Sequence, residues 1–266
     1  MKIIICGKGG SGKSTIATLI ARALTVRGYS ILLVDGDESN LGLHRLLGVE
    51  EPVVFLDSLG GKKGFREKLG SAFPKGNTDT IFGPNTRIDD ISKECIADIE
   101  GIKLLAIGKI HNSGEGCACP IGSLSKTILS NLVIGENEIV LIDAEAGIEH
   151  FGRGIDAACD MILGVVDPTF ESFMLAKKME DLACKAQKEI SFVMNKVDER
   201  VEASMNRHVA QDKVVARIPM NNEIFMDSLE GKKISAVLPE IEKVCELIST
   251  KKKKLGKAGH KAIHFL

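Results

Sequence analysis

The chain has 266 residues, 44% of them hydrophobic and 27% charged, with a formal net charge of -1. That size and balance suit one large α/β domain, and a near-neutral chain lacks the long-range field that gathers nucleic acid. One Tyr and no Trp argue against base-stacking platforms, and no apolar run is long enough for a membrane-spanning helix. The N-terminus carries no signal-peptide pattern, so the seven cysteines are expected in a reducing cytoplasm. Paired thiols there read as metal or redox ligands before they read as disulfides.

In chain order, the first element is an apolar strand over Lys2–Cys6, followed by the glycine-rich segment Gly7 to Thr15. Ile16, Leu19, Ile20, Ala23 and Leu24 then share one helical face. A second strand over Ser30–Val34 runs into the acidic sequence Val34 to Ser39. Residues 57–101 break the rhythm with many glycines and two prolines, and are read as an insertion on the sheet. Strands are expected again over Ile102–Ile107, Glu138–Ile142, Met161–Val166, Ile190–Met194 and Val214–Ile218. Helices are expected near Ser123–Val133 and along the Leu175, Met179, Leu182 and Ala186 face. Strands apolar along their whole length, alternating with helices, predict a doubly wound, mostly parallel sheet covered on both faces. One domain over 1–250 is expected, with a basic tail over 251–266. Four lysines open that tail, and Gly256 and Gly259 weaken any helix there, so it is read as a solvated, partly disordered end.

The segment GKGGSGKST between a strand and a helix has the composition and context of a phosphate-binding loop. Gly9, Gly10, Ser11 and Gly12 let successive N–H groups turn inward as an anion nest, and the following helix adds its N-terminal dipole. Lys13 is expected on the β- and γ-phosphates, the Ser14 hydroxyl on Mg²⁺ and Thr15 on the α-phosphate. A second lysine, Lys8, makes the pattern K-G-G-x-G-K-[ST].

That pattern resembles the deviant Walker A P-loop NTPases of the SIMIBI class, the family of MinD, ParA, the nitrogenase iron protein and the nickel-insertion ATPases. The resemblance implies a homodimer that sandwiches two nucleotides, with Lys8 crossing to the partner's phosphates in the manner of an arginine finger. It implies that Asp37 orients the attacking water, with Asp35 close to the phosphates. Asp143, at the end of the strand IVLID, would hold the Mg²⁺ hydration shell, and the Gly147 N–H would meet the γ-phosphate. Asn195-Lys196-Val197-Asp198 matches the guanine-reading pattern N-K-x-D, yet many of these ATPases carry Asn at this place and finish an adenine site with a later loop. Arg217-Ile218-Pro219 and Asn221–Glu223 resemble that loop, which favours ATP and adds Pro219 and Glu223 to the base site.

Cys117-Ala118-Cys119-Pro120 offers half of a tetrahedral thiolate site, and a two-fold dimer would supply the other half. Cys6, Cys95, Cys159, Cys184 and Cys245 are scattered, mostly in apolar patterns, and read as inert, as do His111 and His150. Cys-x-Cys here, with the AGIEH sequence ending at His150, Arg153-Gly154 and the VMNKV sequence around Asn195, is similar to the CooC type. Those ATPases help insert nickel into carbon monoxide dehydrogenase. The likeness implies a slow, dimerisation-coupled ATPase carrying Ni²⁺ or Zn²⁺ on Cys117 and Cys119 to a metalloenzyme client. A MinD-like or ParA-like positioning regulator at the membrane and an iron–sulfur cluster carrier are the alternatives. The tail lacks the apolar face that the first needs, and thiolate softness alone does not separate nickel, zinc and a cluster.

Overall fold

All seven strands expected from the apolar runs are present, and an eighth joins them at one edge. The computed structural model describes residues 1–69, 82–109, 119–148, 150–151 and 154–263, with backbone alone at 69, 119–120 and 257–263. The strands are β1 (Lys2–Gly7), β2 (Ser30–Asp35), β3 (Ile96–Ile99), β4 (Ile102–Ala106), β5 (Glu138–Asp143), β6 (Met161–Val166), β7 (Ile190–Val197) and β8 (Val214–Pro219). Their order is β3-β4-β2-β5-β1-β6-β7-β8. Every neighbouring pair is parallel except β3 with β4.

β3 is the unexpected strand. It has four residues, is only half covered, and lies inside the segment read as an insertion. A two-residue turn joins it to β4, with φ of 52° at Glu100 and 87° at Gly101. Positive φ at both central residues is the turn that matches the twist of paired strands.

Ile3, Ile4 and Ile5 are all fully buried because alternate side chains enter two separate layers. Ile3, Ile5, Ile31 and Leu33 meet α1 (Lys13–Val26) and α9 (Pro239–Ile263). Ile4, Leu32 and Val34 meet α5 (Cys119–Asn131) and α6 (Phe170–Lys185). Shorter helices are α2 (Leu43–Leu47), α3 (Phe55–Ser58), α4 (Gly61–Leu69), α7 (Glu199–His208) and α8 (Asn222–Leu229), with single 3₁₀ turns between elements. Phe65 and Phe82 from the glycine-rich region, with Phe55 just before it, are buried in the same layer as α5.

The C-terminal end differs from the expectation: α9 runs on through the four lysines to Ile263. Ile241, Val244, Cys245 and Ile248 form its buried stripe. The next turn is tied to the body, because Lys252 donates to the Glu138 carbonyl at 2.7 Å and Lys251 pairs with Glu189. These contacts offset the helix weakness of Gly256. No helix among the described residues is long and apolar enough to cross a membrane.

The winding reverses about β1, whose neighbours are β5 and β6. A crevice therefore opens at the carboxyl ends of the central strands, where doubly wound sheets bind ligands. Parallel register sets Asp35 beside Asp143 and Ile5 beside Asp143 at that edge.

Candidate nucleotide site

β1 ends at Gly7, where a Cβ would collide with the Val165 carbonyl. The chain then doubles back, with the Ser11 N–H donating to the Lys8 carbonyl at 3.1 Å. Gly12 enters α1 with φ of 99°, a conformation that glycine adopts without strain. No side chain caps α1, so its first N–H groups face the crevice as an anion site. A cavity of ≈ 290 Å³ lies above the loop, lined by Gly9, Gly10, Gly12, Lys13, Ser14 and Thr15 and closed by Asp37, Ser39, Asn40 and Ala146. Lys13 is buried at the base of the loop and reaches the Lys8 carbonyl at 3.4 Å.

The Ser14 hydroxyl donates to Asp143 Oδ2 at 2.6 Å. Asn40 Nδ2 donates to both, at 3.1 Å to Ser14 Oγ and 3.2 Å to Asp143 Oδ2. The second oxygen of Asp143, Oδ1, is buried with no hydrogen-bond partner among the described residues. A buried carboxylate oxygen left over beside a hydroxyl and a phosphate cradle fits a Mg²⁺ hydration shell. Burial pushes the Asp143 carboxyl up to about 6, against the Ser14 hydrogen bond and nearby Lys13. Burial likewise pushes Asp35 up to about 7, with Lys109 opposing and Asp143 reinforcing. Asp37 Oδ1 accepts from the Ser39 N–H at 2.9 Å and hydroxyl at 2.6 Å, which holds the carboxylate at the rim of the cavity.

Asn40 and Lys109 were invisible to sequence reading. Neither lies in a recognisable motif, and their roles come from tertiary proximity. The only sequence cue was a lysine directly after a buried strand and Gly108.

Two expected phosphate contacts are otherwise engaged. The Gly147 N–H donates to the Gly7 carbonyl at 3.1 Å. Lys8 lies 3.9 Å from the buried Asp167 carboxylate of its own chain.

At the base end, Asn195 is buried and its amide donates to the Ser11 carbonyl at 2.8 Å. Lys196 donates to the Gly10 carbonyl at 2.7 Å. Both residues therefore brace the phosphate loop. Asp198 caps α7, accepting from the Arg200 N–H at 2.8 Å and the Val201 N–H at 3.1 Å, and pairs with the Arg200 side chain. A cleft beside Gly12 is lined by Thr15, Asn195, Lys196, Pro219, Asn221 and Phe225 among others. Glu223, read as part of the base site, is exposed on α8 and does not line the cleft. Arg217 turns instead toward Asn206 and Gln211.

Cys119 opens α5, but its side chain is not among those described, and Cys117, His111 and Arg153 lie outside the described residues. Among the described residues no group of three or more His, Cys, Asp or Glu is arranged to hold a metal. Cys6, Cys95, Cys159 and Cys245 are buried, as inert thiols should be, whereas Cys184 is exposed. Burial pushes Cys6, Cys159 and Cys245 up to about 12. His150 is buried against Phe151 beside the strand end that carries Asp143.

Residues 2–254 match the model of the CobQ/CobB/MinD/ParA nucleotide binding domain. The chain is 47% identical over 249 residues to an uncharacterized ATP-binding protein of Methanocaldococcus jannaschii, covering 94% of this chain and 100% of that one. It is 40% identical over 185 residues to the carbon monoxide dehydrogenase accessory protein CooC of Rhodospirillum rubrum, covering 69% of each. Its fold is similar to that of the septum site-determining protein MinD of Pyrococcus horikoshii, solved with Mg-ADP. The TM-score is 0.63 at 19% identity, over 93% of this chain and 95% of that one. The chain belongs to the CobQ/CobB/MinD/ParA nucleotide binding domain family, a family of ATP-binding ATPases.

Proposed function

We propose that the protein is a Mg²⁺-dependent, dimerising ATPase that carries nickel or zinc on Cys117 and Cys119 of two subunits and assists its insertion into a metalloenzyme such as carbon monoxide dehydrogenase. The observation that carries this reading is the 40% identity to CooC, together with a Cys-x-Cys pair that falls between β4 and β5 in the sequence. A reducing cytoplasm, where thiolates stay available for metal, suits that task.

In this reading Lys13 neutralises the β- and γ-phosphates from beneath, and Ser14 and Asp143 hold the Mg²⁺ shell. The metal supplies positive charge to the phosphate oxygens when bound. Asp37 orients the attacking water. For Mg·ATP to seat, Asn40 leaves Ser14 and Asp143, and the Gly147 N–H leaves the Gly7 carbonyl. Lys8 meets the buried Asp167 carboxylate at 3.9 Å, the outer limit of an ion pair, and the Gly9 carbonyl at 3.4 Å. Neither is a short contact, and Asp167 keeps the Thr169 hydroxyl at 2.9 Å when Lys8 turns toward a partner's phosphate. ATP is favoured over GTP because Asp198, the residue that would read guanine, is committed to capping α7.

The test is delivery. Nickel-loaded protein is mixed with carbon monoxide dehydrogenase lacking nickel, with and without Mg·ATP, and enzyme activity is followed. Activation that needs Mg·ATP and is lost in Lys13→Ala supports the reading. Activation by free nickel at the same rate would remove it. The alternative cargo, an iron–sulfur cluster on the same thiolates, shows itself by iron and a visible chromophore on the loaded protein.

A further inference from the structure

Lys109 lies just past β4 and is 3% exposed. Its ammonium has three donors, and all three are used on one stretch of chain. It pairs with Asp35 Oδ2 at 2.7 Å, donates to the Asp37 carbonyl at 2.7 Å, and donates to the Asn40 carbonyl. A lysine needed only to balance Asp35 would require one of these contacts. The other two fix backbone on either side of the turn that presents Asp37 and Asn40 to the cavity.

The support under Lys109 is firm. The Ile107 N–H donates to the Asp35 carbonyl at 3.1 Å, tying the end of β4 to the start of the same segment. Gly108 packs so closely on the Ile121 side chain of α5 that an added Cβ would lie 2.8 Å from it. At the far end of the segment, the Asn40 amide reaches Ser14 and Asp143. One buried ammonium thus links β4, Asp35, Asp37 and the residue that touches the cation ligands.

We propose that Lys109 is a positioning residue for ATP hydrolysis, holding residues 35–40 so that Asp37 stands where the attacking water must be oriented. The proposal rests on the assignment of Asp37 as the water-orienting carboxylate. Misplacing a reacting group by about an ångström costs on the order of a hundredfold in rate, and the effect falls on kcat because the phosphate loop itself is untouched. A guanidinium is a planar fork and does not converge on three acceptors from one point. Arginine would therefore keep the charge and lose the geometry.

The experiment measures kcat and KM for Mg·ATP, with thermal midpoints, on the full-length chain. The variants are Lys109→Arg, the charge-neutral pair Asp35→Asn/Lys109→Met, and Asp37→Asn. Removing the lysine alone leaves a buried carboxylate uncompensated and threatens folding, which the pair avoids. The expected result is a kcat lowered about a hundredfold in both Lys109 variants, with KM within about threefold of wild type and the pair retaining its thermal midpoint. Wild-type kcat in Lys109→Arg or in the pair means that Lys109 only balances Asp35, and overturns the proposal. A raised KM at unchanged kcat overturns it as well. Wild-type kcat in Asp37→Asn overturns the assignment of Asp37 and the proposal with it, and is recognised because residue 109 is intact in that variant.

Discussion

Gly12→Ala tests the geometry of the phosphate loop at its tightest point. Gly12 has φ of 99°, and a Cβ there would lie under 3.0 Å from the Asn195 amide nitrogen. Holding alanine in that conformation costs about 1–3 kcal/mol. Asn195 must also swing away, losing its 2.8 Å bond to the Ser11 carbonyl and leaving a buried acceptor unpaired for about 1–3 kcal/mol. The sum is about 4 kcal/mol, or a fall of roughly 10 °C in Tm for a domain of this size. Urea denaturation and titration with a fluorescent ADP analogue read stability and binding, and both should weaken. The double variant Gly12→Ala/Asn195→Ala removes the collision, so the two substitutions should couple by about 1–3 kcal/mol. Wild-type stability in Gly12→Ala, or costs that add to within about 0.5 kcal/mol, would mean that Gly12 and Asn195 do not constrain each other.

Other predictions follow from the same site. Lys8→Ala should keep nucleotide affinity close to wild type, since the Lys8 ammonium makes long contacts with Asp167 and the Gly9 carbonyl, and should lose hydrolysis or dimer closure; unchanged turnover contradicts the cross-subunit role. Asp198→Ala should cost about 1 kcal/mol through loss of the α7 cap while leaving the ratio of ATP to GTP affinity unchanged, measured by competition binding. A shifted ratio would return Asp198 to the base site. Ser14→Ala should weaken binding of Mg·ADP much more than of ADP without Mg²⁺, and equal weakening of both would take Ser14 away from the cation. Lys252→Ala should lower stability by about 1–3 kcal/mol in urea denaturation, since it removes ammonium contacts to the Gly135 and Glu138 carbonyls. Wild-type stability in that variant would contradict the docking role.

The sheet was legible because buried parallel strands must be apolar on both faces, and Ile3–Ile5, Ile31–Val34 and Met161–Val166 are. β3 escaped notice because four half-covered residues carry no such signature, and its pairing depends on a two-residue turn at Glu100-Gly101. The length of α9 is not legible in propensity, which counts Gly256 against a helix but does not count the carbonyls that receive Lys252. At the site, the phosphate loop, Ser14 and Asp143 are readable because their chemistry is local and spaced along the chain. Asn40 and Lys109 are not, since their partners lie 26 and 74 residues away in sequence. Glu223, assigned to the base site by a short loop resemblance, is exposed just after the α8 cap at Asn221 and does not line the cleft.

The most direct test of the central claim is anaerobic metal binding by the reduced protein, reading bound metal and molecular mass together beside a Cys117→Ser/Cys119→Ser variant. The expected result is one Ni²⁺ or Zn²⁺ per dimer, absent from the variant. No bound metal, or metal that survives the substitution, would contradict metal delivery and leave a family ATPase whose client must be sought elsewhere.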